Sequence, residues 1–269
     1  MKNNSGLTVQ MIVKNEDRWI WYALKSIYTA ASEIIVYDTG SVDNTIPVIE
    51  TFGQQKVRFE KYNLNNPENL TSLRQRQLAE TKTEWFLLAD GDEVWPEKSI
   101  AQVIRAIKNS HERIEGIVVN AAICLGDVFH VQDEKAGKYN ITGNVGHYNI
   151  RAYRKSSSYH WTGQYPLEAY VDENNIPLQN KPESLKLLDV SYHHLRHLPR
   201  STQVRNPKKK LEVGKKIDTS QIPEVFSDNT RPKIVTSPWV KYSPLEQLLA
   251  TLITPVLYIK RRLFPIESE

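Results

Sequence analysis

The sequence predicts an α/β protein with a Rossmann-like central mixed, mainly parallel sheet flanked by helices. An irregular C-terminal extension and a terminal amphipathic helix follow. Three observations carry this prediction. Short apolar runs alternate with helical periodicity from Leu7 to Ile107. An acidic turn, Asp90-Gly91-Asp92-Glu93, follows the apolar run Trp85-Phe86-Leu87-Leu88-Ala89 directly. Near the C-terminus, leucines and isoleucines recur at helical spacing up to Lys260-Arg261-Arg262.

Taken in order, Leu7 to Val13 reads as a strand, and Ile20, Leu24 and Ile27 give the helix after it. Glu33 to Tyr37 is a second strand, ending in the turn Asp38-Thr39-Gly40-Ser41. Ile46, Ile49 and Phe52 mark a helix stopped by Gly53, because glycine accepts the left-handed conformation of a C-cap. Val57 to Phe59 is a short strand, Leu70 to Leu78 a helix, and Trp85 to Ala89 a buried strand. Ile100, Val103, Ile104 and Ile107 then match the helical template. This alternation argues for a doubly wound sheet with ligands at the carboxyl ends of its strands.

Beyond Gly116 the pattern changes. Ile117 to Val119, Tyr148 to Tyr153, Leu167 to Val171 and Leu185 to Val190 read as strands between long polar loops, with no helix of comparable quality. From Arg196 to Val240 the chain is rich in Pro and Lys and poor in periodicity, as expected of an irregular, partly mobile wrap. Ser243-Pro244-Leu245-Glu246 is a capping-box start for a last helix, with a kink expected at Pro255. The expected divisions are therefore 1–115, 116–195 within the same domain, 196–240 and 241–269.

Composition excludes some classes. At 269 residues the chain can bury a sizeable core, and its net charge of +4 does not call for nucleic acid. The basic residues lack interleaved aromatics for base stacking, so nucleic acid is not an expected partner. One cysteine, Cys124, rules out an internal disulfide. Met1 to Gly6 lacks the apolar core of a signal peptide and no window reaches about 20 apolar residues, so a cytoplasmic location is expected. The C-terminal stripe, ending in cations beside Leu263 and Phe264, reads either as a helix packed on the body or a second subunit, or as peripheral contact with the inner face of a membrane.

The chemistry is carried by the acidic turn. Three carboxylates leaving a buried strand suit a divalent cation and a phosphate, because unpaired buried charge is costly. Oxygen ligands suit Mg²⁺ or Mn²⁺. Gly91 adds no side chain, so a ligand's phosphates are expected to approach the backbone there.

Three ordered motifs give a resemblance: Val13-Lys14-Asn15-Glu16 closing the first strand, Asp38-Thr39-Gly40-Ser41-Val42-Asp43-Asn44-Thr45 after the second, and Asp90-Gly91-Asp92 after the fourth. With Arg74 sixteen residues before Asp90, they resemble the family 2 glycosyltransferases of the GT-A fold. The resemblance implies that 1–115 binds a nucleotide-sugar and that 116–195 forms the acceptor side. It implies that Val13, Asn15 and Glu16 line the base and ribose, that Asp38 accepts from the base, and that Arg74 meets a phosphate or a carboxylate of the site. An Asx-turn is the structural alternative for Asp38. Asp90 is implied to contact ribose and Mn²⁺ or Mg²⁺, and Asp92 to ligate that metal.

Arg151-Ala152-Tyr153-Arg154 and Trp161-Thr162-Gly163-Gln164-Tyr165-Pro166-Leu167-Glu168 resemble a bacterial subset that has a histidine where Leu167 stands. On that match Glu168 is the general base, with Asp172 and Asp127 as substitutes. His194, at the end of a strand, is the expected third metal ligand, and Arg196 or Arg200 the expected diphosphate contact. Lys208 to Lys210 reads as a solvated face. The function implied is metal-dependent, inverting transfer of a sugar from a nucleotide-sugar, UDP-sugar favoured, to a glycan, lipopolysaccharide or lipid-linked acceptor. A sugar-nucleotide nucleotidyltransferase or a non-catalytic nucleotide-binding protein is the alternative. The former should carry a glycine-rich basic loop that Val13 to Glu16 lacks.

Overall fold

The structure, a computed structural model, describes residues 6–62, 70–137, 139–205 and 209–263. Lys208 and Phe264 lie outside the described residues. Fourteen strands occur in it: β1 (Leu7–Val13), β2 (Glu33–Asp38), β3 (Val57–Lys61), β4 (Trp85–Leu88), β5 (Glu93–Val94), β6 (Gly116–Ile123), β7 (His130–Val131), β8 (Tyr139–Ile141), β9 (Asn144–Gly146), β10 (Tyr148–Arg154), β11 (His160–Thr162), β12 (Ala169–Val171), β13 (Leu185–His194) and β14 (Lys215–Lys216). The helices are α1 (Ile20–Ile27), α2 (Thr45–Phe52), α3 (Leu70–Glu80), α4 (Glu97–Lys108) and α5 (Pro244–Leu263).

The main sheet runs β3-β2-β1-β4-β10-β6-β13-β5. Strands β1 to β4, β6 and β13 point one way, and β10 and β5 run against them. This is the mixed, mainly parallel sheet expected. β4 reads as a continuous apolar run because a central strand is covered on both faces, and β1 is buried almost throughout as well, its Thr8 and Gln10 side chains bonded to Thr83 and Thr81. Gly53 takes φ 52° and returns its N–H to the Ile49 carbonyl, so it caps α2 as its position required. Gln77 of α3 donates to the carbonyls of Met11 and Ile35, which fastens that helix across β1 and β2.

Two boundaries differ from expectation. β12 begins only at Ala169, because Gly163 to Glu168 forms a loop with Gly163 at φ 87°. β13 extends to His194 rather than stopping at Val190, its pairing with β6 shifting register between Leu187 and Ser191. That irregularity matters. Glu93 lies five residues after Leu88, yet β5 pairs with β13 at the far edge of the sheet. Four strand spacings in a flat sheet would span about 19 Å. Five residues reach at most about 18 Å, and these include a turn from Glu93 N–H to the Asp90 carbonyl. The sheet therefore curls, and the end of β13 comes back over the acidic turn.

The stretch 196–240 holds only short 3₁₀ turns and one two-residue strand among its described residues, but it is not loosely appended. It wraps α1. Trp19 Nε1 donates to the Pro199 carbonyl, Tyr22 donates to the Thr236 carbonyl, and Phe226 packs edge-on against Trp19 and Tyr22.

α5 starts with the expected capping box: Ser243 N–H donates to Glu246, and Glu246 N–H to the Ser243 hydroxyl. It is continuous through Pro255. Its body-facing side is the small and polar one. Ala250 is buried, Thr254 accepts from Val213 N–H, Glu246 pairs with Lys209, and Arg261 pairs twice with Glu212. Packing through the apolar stripe, one of the sequence's expectations for this helix, is not what occurs.

One buried charge pair anchors the acidic turn. Glu93 is fully buried and pairs with Arg151, which also donates to the Tyr192 hydroxyl. Burial raises the Glu93 carboxyl above its ordinary value, and Arg151 opposes that rise. Removing one partner of such a pair strands the other. Arg151→Met should therefore lose about 3 kcal/mol of stability in urea unfolding. Glu93→Gln combined with Arg151→Met should lose clearly less than the sum of the two single changes.

Candidate active site

The carboxyl ends of β1, β2 and β4 bring three loops to one rim, where ligands bind in sheets of this kind. The loop after β1 is bound to the loop after β2 by polar contacts. The Val13 carbonyl accepts from the N–H and hydroxyl of Thr39. Asn15, held at φ 56°, donates its N–H to Ser41 and accepts from Val42 N–H. Glu16 N–H donates to Thr45, and Asp43 accepts from the N–H and hydroxyl of Thr45. A frame of buried, satisfied polar groups of this kind is rigid.

Asp38 is buried and its carboxylate closes its own turn. Oδ1 accepts from the N–H groups of Gly40 and Ser41 at 2.9 Å each, and Oδ2 accepts from the Ser41 hydroxyl. The Asx-turn weighed from the sequence is thus present. Each oxygen accepts two hydrogen bonds, so Oδ2 retains room for one donor more.

The acidic turn behaves differently at each residue. Asp90 Oδ1 lies 3.5 Å from Arg74 Nη2. Asp92 is buried, with Oδ1 3.6 Å from His194 Nε2 and Oδ2 3.3 Å from Arg200 Nε. Glu93 braces the turn: its Oε2 accepts from Asp90 N–H, and its Oε1 lies 3.9 Å from His194 Nδ1. Of the three expected metal ligands, then, Asp92 and His194 stand together, while Asp90 is drawn to Arg74. Among the described residues no three His, Cys, Asp or Glu side chains converge as a ready-made metal cluster. A carboxylate and an imidazole still fit a divalent ion that keeps its other positions for water and phosphate oxygens.

Gly91 corrects an expectation. A Cβ there would lie 2.8 Å from Glu16 Cγ, 3.0 Å from Glu16 Cβ and 3.1 Å from Val13 Cγ1. The space is filled by the protein itself, so glycine is required for the acidic turn to lie against the β1 loop rather than for a phosphate to approach. This contact sets the distance between Glu16 and Asp92.

Arg200, one of the two arginines expected at the diphosphate, lies at the acidic turn. Its guanidinium reaches both Glu16 and Asp92. Burial lowers its pKa from the ordinary value. It is delivered by backbone pairing of Arg18 N–H with the Arg200 carbonyl and by Thr202, whose N–H and hydroxyl both donate to Asp17. Three buried atoms on this rim have no hydrogen-bond partner among the described residues: the acceptor Glu16 Oε2 and the donors Arg74 Nη1 and Arg200 Nε. They are of both polarities, as a ligand with both donors and acceptors would require.

Glu168 is half-buried in the loop between β11 and β12. That loop is latched to α3: Trp161 N–H donates to Gln75, and Thr71 donates to the Gly163 carbonyl. The Tyr165 hydroxyl is raised above its ordinary value, first by burial and then by the charges of Asp90, Glu168 and Asp92, with Arg196 opposing. Tyr165 therefore lies within electrostatic reach of Glu168 and the acidic turn alike. Of the substitutes, Asp172 is engaged by Lys181 and by its own loop, and Asp127 by His130 and Phe129 N–H.

Residues 8–160 match the sequence model of Glycosyl transferase family 2. The SPbeta prophage-derived glycosyltransferase SunS of Bacillus subtilis (strain 168) is 27% identical over 106 residues, covering 38% of this chain and 24% of that protein. The chain thus matches about a quarter of the length of this curated relative. Two solved structures are similar at lower identity. S. aureus TarS 1-349 in complex with UDP-GlcNAc gives a TM-score of 0.49 at 14% identity, over 75% of this chain and 60% of that one. Glucosyl-3-phosphoglycerate synthase from Mycobacterium tuberculosis with Mn²⁺ and UDP-Glc gives 0.36 at 20% identity, over 44% of each chain.

The close seat of Gly91 can be measured. Gly91→Ala should cost on the order of 2 kcal/mol in denaturant unfolding, because Glu16 must leave its position. Adding Glu16→Ala, which removes the nearest obstructing atom, should recover part of that loss.

Proposed function

The chain belongs to Glycosyl transferase family 2, and on that premise we propose that it transfers a sugar from a UDP-sugar to an acceptor hydroxyl with inversion. The observation that carries this reading is the rim on which Glu16, Asp38, Arg74, Asp90 and Asp92 meet, with unpartnered polar atoms of both signs. Asp38 Oδ2 has capacity to accept the imide N–H of uracil, and Val13, Asn15 and Glu16 line the base and ribose. Arg74 and Arg200 supply planar guanidinium donors for the diphosphate. For Arg74 this uses the Nη1 that is otherwise buried without a partner. Arg200 would exchange its contact with Asp92 for a phosphate oxygen.

Asp92 and His194 would hold Mn²⁺ or Mg²⁺, with Asp90 beside them. A divalent ion there would stabilise the charge that develops on the leaving diphosphate. The acceptor oxygen attacks the anomeric carbon from the face opposite the nucleotide, and the bond to the diphosphate oxygen breaks with its electron pair leaving on UDP. Glu168 takes the proton of the attacking hydroxyl. Its loop is latched to α3, the helix that carries Arg74, which supports the assignment. The acceptor proposed is a surface glycan, a lipopolysaccharide or a lipid-linked glycan.

Thermal-shift titration with UDP-sugars, with and without Mn²⁺, tests the donor site. Wild type should be stabilised most by donor and metal together, and Asp92→Ala should lose the metal-dependent part. Stabilisation of Asp92→Ala equal to wild type would sink the metal assignment. For the base, Glu168→Gln should bind the donor normally and lose a factor of roughly 10² to 10⁴ in kcat. Unchanged transfer would reject it.

A further inference from the structure

α5 is an amphipathic helix mounted the wrong way round for a soluble protein. At 100° per residue, Leu245, Leu248, Leu249, Leu252, Ile253, Val256, Ile259 and Leu263 fall on one stripe. All eight are between 37% and 65% exposed. The opposite stripe, Glu246, Ala250, Thr254 and Arg261, faces the body through the contacts already described. Only Ala250 and the half-buried Leu257 are apolar on that side, ion pairs and hydrogen bonds hold the rest of it, and the apolar stripe is left to water. Contiguous apolar patches of this extent mark an interaction surface.

We propose that α5 lies flat in the surface of an anionic phospholipid bilayer, with this stripe in the acyl boundary. Charge decides the occupant. Lys260 and Arg262 are exposed on either side of the stripe's end, and Lys215, Lys216 and Lys241 are exposed in the same C-terminal extension. Glu246, the one acidic residue of the helix, is paired with Lys209 against the body. A second copy laid on the stripe, parallel or antiparallel, would bring no carboxylate of α5 to these cations. An anionic headgroup layer supplies them along the whole edge. Tyr258, exposed on the flank of the helix, is an amphipathic ring of the kind that settles at headgroup level. Among the described residues no helix is long and apolar enough to cross a membrane, so contact is with one face only. The inference does not depend on the sugar-transfer reading.

Vesicle flotation of the full chain tests it, using phosphatidylcholine vesicles with and without phosphatidylglycerol. The wild type should float with phosphatidylglycerol vesicles, and rising salt should weaken the association. Leu252→Glu with Val256→Glu, and separately Lys260→Glu with Arg262→Glu, should each weaken it by roughly tenfold or more. These side chains are exposed, so unfolding midpoints should not move. A wild type that stays at the bottom of the gradient with either vesicle would overturn the proposal. So would a dimer, measured by light scattering, that the Leu252→Glu, Val256→Glu pair makes monomeric without changing flotation. Flotation indifferent to phosphatidylglycerol, salt and the cation pair would overturn the anionic preference.

Discussion

The acidic turn can exist only because the charge beneath it is neutralised inside the protein. Glu93 opens β5 fully buried, and a lone carboxylate there would be driven out or protonated. Arg151 on β10 meets it, and Tyr192 on β13 meets Arg151. Those three residues come from three strands, so the pair also closes the curl of the sheet. Once β13 has returned to the turn, His194 stands beside Asp92, and Leu195 N–H donates to the Asp92 carbonyl. The chain that follows passes directly over the rim as the segment bearing Arg200. Position of the turn, position of the histidine and course of the strap are thus consequences of one electrostatic requirement.

Above that base, the rim is arranged by short polar contacts rather than by apolar packing. The two loops after β1 and β2 share a continuous set of hydrogen bonds, and the strap joins it through Asp17 and Thr202. The β11–β12 loop is joined instead to α3, through Gln75 and Thr71. Arg74, between those two residues in sequence, is thereby fixed relative to Glu168. The proposed donor side and the proposed acceptor side of the rim share a helix.

Much of this was legible in the sequence. Alternation of apolar runs with helical periodicity located β1 to β4 and the helices between them, and local chemistry predicted the Gly53 cap and the Ser243–Glu246 box. What was not legible is whatever depends on contacts distant in sequence. Gly91 looked like room for a ligand, and only the approach of the β1 loop shows that Glu16 fills the room. The curl of β13 arises from a register shift that no periodicity reports. For α5, spacing showed that an apolar stripe exists. Its orientation depended on Glu212, Lys209 and Val213, which lie on a segment without periodicity.

Glu16 Oε2 and Arg74 Nη1 sit buried without partners on the same rim. An unsatisfied buried group of this kind destabilises a fold by roughly 1–3 kcal/mol. The resting protein is therefore less stable than the same backbone would be with apolar residues at those two positions. Selection for heat resistance alone, with no demand for activity, would erase the site before it touched the core. The unsatisfied buried groups of the rim are the places where a bound ligand would return the most stability.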